Sequence, residues 1–249
     1  MSTFAIILAA GSSKRMGKDK IFLEINGKTL IEYVLNTFEG CKKIDEMIIA
    51  AKKDKIIDIQ NLISKNSLKK VSAVVEGGKE RQDSVFNAIK SIKNAGKDDL
   101  IAVHNAANIF VSASEIERCV LEAKKHGASA AGFPLKDTIK KASKGFVEKT
   151  IDRSGIWQMQ TPQCAKYGLL MEGFQFANSR KLSVTDEASL IEAIGRKVRL
   201  VECSSMNFKI TTKHDFMHAK EILGKTHGLE MEKTTTGLIR RKNWFLEGL

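Results

Sequence analysis

Seven consecutive apolar positions, Phe4 to Ala10, predict a strand buried on both faces, and similar runs recur at 47–51, 71–76 and 100–104. Helical spacing alternates with them. Leu30, Ile31, Val34, Leu35 and Phe38 form one apolar stripe, and Thr29, three residues before Glu32, predicts a capping box at its start. A short strand over Ile21–Ile25 and a tight turn at Asn26-Gly27 precede that helix. A lysine-rich helix is expected around 55–65. A further helix, capped by Asp83, would bury Val85, Ala88, Ile89 and Ile92. Another, over 114–125, would bury Ile116, Cys119, Val120 and Ala123 and end at Gly127. Strand and helix in alternation predict an α/β fold with a parallel sheet covered on both faces. Ligands of such sheets bind beyond the carboxyl ends of the strands, which is where Gly11, Gly77 and His104 fall.

The rhythm changes at Ala130. Residues 134–161 show little helical periodicity and predict extended arms, 137–142 and 146–151, projecting from the core. Helices return at 169–177 and 186–193, the second with Thr185 as N-cap and Gly195 beyond its end. Strands are expected at 198–203 and 208–211, and a closing helix with Phe216, Ala219, Ile222 and Leu223 is expected to stop at Gly224. The resulting division is one domain over 1–225, arm included, and a tail over 226–249 with no assigned role.

The first strand breaks at Gly11 into a small, basic loop with Ser12, Ser13, Lys14, Arg15, Lys18 and Lys20. Small residues let backbone N–H groups approach an anion, and the cations suit a polyphosphate. An ordinary solvated surface loop has the same composition. Two better-known phosphate loops are excluded by spacing: there is no G-x-G-x-x-G, and Asp19 stands where G-x-x-x-x-G-K would need Ser or Thr.

With 43% hydrophobic residues the 249-residue chain predicts one substantial core. The net charge of +12 points to an anionic partner, but the lysines are scattered, aromatics make up only 6%, and no nucleic-acid motif occurs. The charge therefore reads as solvated surface plus one anion pocket, with no nucleic-acid partner. Four dispersed cysteines form no C-x-x-C pair, against a zinc site or disulfide framework. No run is long enough for a membrane span and none reads as a signal peptide, so a cytoplasmic location is expected.

The string L-A-A-G-x-x-x-R-M-G-x-x-K resembles the signature of nucleotidyltransferases that join a sugar or polyol phosphate to an NTP. It is most similar to the 2-C-methyl-D-erythritol 4-phosphate cytidylyltransferases. E-G-G-x-x-R-x-D-S-V at 76–85, K-D-T-I-K at 136–140, D-R-S-G-I-W at 152–157, Q-T-P-Q at 160–163, T-D-E-A at 185–188 and N-F-K-I-T at 207–211 extend the resemblance. It implies a Rossmann-like core, mostly parallel, with a β-arm that clasps a second subunit into a homodimer. The implied reaction is attack by a phosphate-monoester oxygen on the α-phosphorus of CTP, expelling pyrophosphate in isoprenoid-precursor synthesis. Arg15 and Lys20 would contact the triphosphate, with Lys209 near the α-phosphate. Ala9, Ala10 and Gly11 would approach the nucleotide, and Gly78 and Ser84 would read cytosine. Thr138 and Arg153, on the arm, would hold the acceptor's phosphate across the dimer interface.

The chain departs from the family pattern H-D-A-x-R-P. It has His104-Asn105-Ala106-Ala107-Asn108-Ile109, so the position expected to hold Mg²⁺ is neutral Asn105. Asp19 stands before the loop lysine in place of the usual proline, and Lys79 replaces an acid after Gly-Gly. Alternatives are therefore ribitol 5-phosphate or another polyol phosphate as acceptor, and a catalytically weakened, nucleotide-binding paralogue.

Overall fold

A computed structural model describes residues 1–231 apart from 12, 14, 15, 17 and 18, with side chains to 224. β1 (Thr3–Ala9) enters the centre of the sheet, and a 3-10 turn at Lys20–Phe22 follows the basic loop. β2 (Glu24–Ile25) and β3 (Lys28–Thr29) form a two-residue ribbon around Asn26-Gly27. The strand expected over 21–25 is thus mostly 3-10, because the buried Ile21 anchors a turn that returns the chain to the core. α1 (Leu30–Gly40) starts with the predicted capping box: Glu32 accepts the Thr29 N–H at 2.6 Å while Thr29 Oγ1 accepts the Glu32 N–H. β4 (Glu46–Ala51), α2 (Ile56–Lys65) and β5 (Val71–Glu76) follow as expected. α3 (Arg81–Ser91) is capped by Glu80, and Asp83 reciprocates by accepting the Glu80 N–H at 3.0 Å, so Asp83 is the third helical residue and no cap.

β6 (Leu100–Asn105), α4 (Ala113–His126) and β7 (Ala128–Pro134) lead to a hairpin of β8 (Ile139–Ser143) and β9 (Phe146–Ile151). β10 (Trp157–Lys166) then re-enters the sheet. The excursion is therefore shorter than 134–161, since residues 157–161 belong to β10. The pattern there is masked by polar side chains that face the site. α5 (Tyr167–Arg180), α6 (Glu187–Ala193), β11 (Arg199–Glu202) and α7 (Lys213–Met231) complete the described chain. Asp186, not Thr185, caps α6, accepting the Ser189 N–H at 3.0 Å. Residues 208–211 are irregular, with the Ile210 N–H bonded to Ala107 O in the loop after β6 and not to a strand. α7 runs through Gly224, which does not take the positive φ that ends a helix, so the boundary at 225 falls inside it. The rest of the expected tail, 232–249, lies outside the described residues.

Among the described residues seven strands form one sheet, in the order β11-β7-β10-β6-β1-β4-β5. Every pairing is parallel except those of β10, antiparallel to both β6 and β7. Alternate residues face two helical layers. Ala5, Ile7, Met47 and Ile49 pack on α1, α2 and α4, and Phe4, Ile6, Ile48 and Ala50 pack on α3, α5 and α6. Each fully buried Ile or Leu contributes about 1.5–3 kcal/mol relative to exposure. The first layer also holds all four cysteines as buried thiols. No described helix is long and apolar enough to cross a membrane.

His104, at the end of β6, faces the core and not the cleft. It is fully buried beside the Phe38 ring, centroids 5.1 Å apart. Its Nε2 lies 2.9 Å from Asn108 O and so carries the proton, leaving Nδ1 without a partner among the described residues. Burial pushes its pKa from 6.5 down to about 4, with the charge of Lys209 acting in the same direction. The unfolded chain binds this proton first, so stability is constant above pH 6.5 and falls as pH drops towards 4. The slope should be about 1.4 kcal/mol per pH unit. The lowered carboxylates Glu32 and Asp186 act only below their ordinary values of 4.5 and 3.8. Urea unfolding between pH 6.5 and 4.5 should therefore show the slope in the wild type and lose it in His104→Gln.

Candidate active site

Four parallel strands, β1, β4, β5 and β6, end on the same edge of the sheet, and the segments that follow β1, β5 and β6, with Lys209 and Thr211, enclose a cleft of about 580 Å³. Ala9, Ala10 and Gly11 line one wall, Gly78 and Ser84 the opposite one, and Lys20, Asn105 and Lys209 the floor and rim. Eight of the residues singled out from sequence thus converge, although they come from five separate stretches of the chain. Arg15 lies outside the described residues.

Gly77 and Gly78 are required by packing. A Cβ on Gly77 would collide with Ala10 Cβ, and one on Gly78 with Asp83 Cβ. The two glycines let the loop after β5 press against both β1's end and α3's first turn. Ser84 holds it there, accepting the Gly78 N–H at 3.0 Å and donating to Glu80 O at 3.1 Å. A hydroxyl oxygen has a second lone pair that can accept from a ligand's donor. At Gly11 a Cβ would meet nothing among the described residues within 4 Å, so that glycine is not demanded by packing.

Lys20 reaches the segment that carries Lys209. Lys20 Nζ donates to Ile210 O at 2.8 Å, one residue beyond Lys209. The segment carrying Lys209 has no regular secondary structure and is laced down by side-chain amides instead. Asn207 Nδ2 donates to Thr161 O at 2.8 Å, Asn108 Nδ2 to Asn207 O at 2.9 Å, and Gln160 Nε2 to Ser204 O at 2.9 Å. Asn105 joins this net, donating to Asn108 Oδ1 at 3.1 Å. Spacing along the chain contains no signal for these contacts, since Asn207 and Asn108 lie 99 residues apart.

A second cavity of about 570 Å³ adjoins the first and shares Arg81, Asn105, Lys209 and Thr211 with it. Its walls are rich in neutral polar groups, among them Gln158, Gln160, Thr161 and Thr185. Arg81 closes one side through a bidentate ion pair to the buried Glu187, at 2.5 and 2.8 Å. Asp186 is held by Gln163 and Ser189, whose hydrogen bonds, with the nearby Arg81, overcome burial and keep its pKa low. Arg81, Thr161 and Gln163 sit in the quoted sequence blocks but carried no individual role there. Thr138 and Arg153 do not line either cavity: both are exposed at the base of the β8–β9 hairpin, where Arg153 donates to Lys136 O.

The donor set does not build a divalent-cation site. Among the described residues no three His, Cys, Asp or Glu side chains cluster suitably. Asn105 presents one neutral amide oxygen, and Oδ2 of the Asp215 carboxylate accepts from the Thr211 and Thr212 N–H groups at 2.8 Å.

Residues 3–225 match the family model of 2-C-methyl-D-erythritol 4-phosphate cytidylyltransferase. An enzyme of that name from Clostridium perfringens (strain SM101 / Type A) is 42% identical over 222 residues, 88% of this chain and 97% of the relative. One from Clostridium tetani is 38% identical over 233 residues, 92% of this chain and 94% of its own. Among solved structures, 4-diphosphocytidyl-2C-methyl-D-erythritol synthase from Anaerococcus prevotii DSM 20548 superposes with TM-score 0.79 at 28% identity, covering 90% of this chain and 96% of that one. The Francisella tularensis 2-C-methyl-D-erythritol 4-phosphate cytidylyltransferase does so with TM-score 0.74 at 33% identity, covering 89% and 99%.

The packing of the glycine loop is directly testable. Gly78→Ala should lower unfolding free energy by about 1–3 kcal/mol, the usual cost of overpacking. Gly11→Ala should leave it unchanged. Urea titration of both variants checks the contrast.

Proposed function

Because the chain belongs to the 2-C-methyl-D-erythritol 4-phosphate cytidylyltransferase family, its reaction is transfer of CMP from CTP to that polyol phosphate with release of pyrophosphate, and we propose how the two cavities divide the work. CTP occupies the first cavity, its base against Gly78 and Ser84 and its triphosphate over Ala9, Ala10 and Gly11. The acceptor occupies the second, where neutral amides and hydroxyls suit a polyol. The observation that carries this reading is that Lys209 and Asn105 line both cavities, so a reacting phosphorus at their boundary lies within reach of both.

An acceptor phosphate oxygen forms a bond to the α-phosphorus as the bond to the bridging oxygen breaks, and pyrophosphate leaves with the electron pair. No covalent enzyme intermediate is involved. Lys209 neutralises the equatorial oxygens, while Lys20 exchanges its contact with Ile210 O for phosphate, and Arg15 adds a further cation. Preorganised charge of this kind accounts for most catalysis of phosphoryl-type transfer. A divalent cation brought by the triphosphate would find a single neutral protein ligand here, Asn105, and would supply further charge neutralisation. The protein works in the cytoplasm.

Among the described residues the strands of the β8–β9 arm pair only with each other, and Phe146 at its tip is 79% exposed. We propose that it clasps a second copy, placing Thr138 and Arg153 at the partner's acceptor cavity. Lys20→Ala should reduce kcat by about 10²–10³, the loss typical of one transition-state donor. Arg153→Ala should be similarly impaired in pyrophosphate release with CTP and 2-C-methyl-D-erythritol 4-phosphate. Mixing the two inactive proteins should restore part of the activity, because one hybrid site then carries both residues. A monomer, or no rescue despite subunit exchange, would sink the shared site.

Asn105→Asp supplies a charged oxygen of nearly the same size at the boundary of the cavities. CTP binding should then become more strongly dependent on Mg²⁺, with turnover rising by about tenfold, or 1.4 kcal/mol. CTP affinity measured across a Mg²⁺ titration is the check. Weaker CTP binding at every concentration would remove residue 105 from contact with the cation.

A further inference from the structure

Lys20 has a positioning problem. Its ammonium must reach out over the cleft from the start of the Lys20–Phe22 turn. Ile21 anchors that turn on the core side. On the other side stands Asp19, the one acidic residue between Gly11 and Leu23, among Lys14, Arg15, Lys18 and Lys20. Its carboxylate is not turned back to cap the 3-10 turn. Oδ2 lies 2.8 Å from Lys52 Nζ, and both side chains are largely covered, at 14% and 27% exposure. Oδ1 accepts a long hydrogen bond from Ser13 Oγ at 3.4 Å, and the same Oγ faces the Lys20 N–H at 3.3 Å.

Lys52 follows Ala51, the last residue of β4, whose strand pairs with β1 and β5 and whose carbonyl accepts the Gly77 N–H at 2.8 Å. The ion pair thus joins the loop to the strand end that also carries the glycine loop. We infer that Asp19 and Lys52 are positioning residues, fastening the phosphate loop to β4 so that Lys20 is held over the triphosphate. The inference rests on the CTP-binding reading of this cleft.

Coulomb's law alone predicts the opposite consequence. An acid beside an anion site weakens anion binding, so its removal should tighten CTP. If Asp19 acts by positioning, its removal weakens CTP instead, although the protein becomes more positive. The two readings differ in sign. The backbone offers a second handle, because the Asp19 φ of −70° lies in the range a proline ring fixes. Asp19→Pro restrains the same segment without a charge.

CTP affinity should be measured calorimetrically for wild type, Asp19→Asn, Lys52→Met, the double variant, Asp19→Pro and Lys20→Ala, with urea midpoints recorded to verify folding. Asp19→Asn should bind CTP about tenfold more weakly, equivalent to about 1.4 kcal/mol. Lys52→Met should match it, and the double variant should be no worse than either, as expected for one shared contact. Asp19→Pro should stay within about threefold of wild type, a change of under 1 kcal/mol. Equal or tighter CTP binding by folded Asp19→Asn, while Lys20→Ala loses affinity, would overturn the inference and leave the cleft's function intact. Unchanged affinity in Lys20→Ala would instead count against the CTP-binding reading.

Discussion

The antiparallel insertion of β10 between β6 and β7 is the constraint on which the rest of the site depends. A parallel strand would enter the sheet at the opposite edge. Running the other way, β10 begins at the ligand-binding edge, so the arm that precedes it projects beside the cleft. Its register shifts between Met159 and Gln163, where Gln160 and Thr161 meet the residues that hold the Lys209 segment. Gln163 reaches in the other direction, to Asp186 and the N-terminus of α6. One strand therefore ties both walls of the second cavity to the sheet.

Charge is distributed with the same economy. Around the Lys209 segment, Asn108, Asn207 and His104 are buried neutral groups bonded mainly to backbone carbonyls. Buried neutral amides satisfy backbone groups without the several-kcal/mol desolvation cost of an ion. The cations Lys20 and Lys209 stand at the rim, where an arriving triphosphate can replace solvent and carbonyl partners. Neutral Asn105 at their boundary is consistent with this arrangement and leaves the cleft strongly cationic.

Much of this was legible beforehand because its causes are local. Apolar runs locate β1, β4, β5 and β6, and the Thr29–Glu32 spacing marks the start of α1 through contacts within one turn. The matched motif blocks brought Ala9, Lys20, Gly78, Ser84 and Lys209 to one cleft, since short segments at strand ends keep their place when the sheet order is right. The failures have separate causes. Gln158, Gln160 and Thr161 turn polar side chains to the second cavity, so the pattern over 157–161 reports cavity lining and not burial in a sheet, whereas residues 208–211 bond to the loop after β6 instead of to a strand.

The amino-acid sequence by itself determined the alternation of strands and helices, the small-residue basic loop and the family, because each depends on residues adjacent in the chain. Tertiary structure alone decided that β10 runs antiparallel, that Asp19 pairs with Lys52 and Arg81 with Glu187, and that Lys20 reaches Ile210 O. Those pairings join residues 33, 106 and 190 positions apart. Their energy exists only once the sheet has brought the strand ends together, and no local periodicity encodes it.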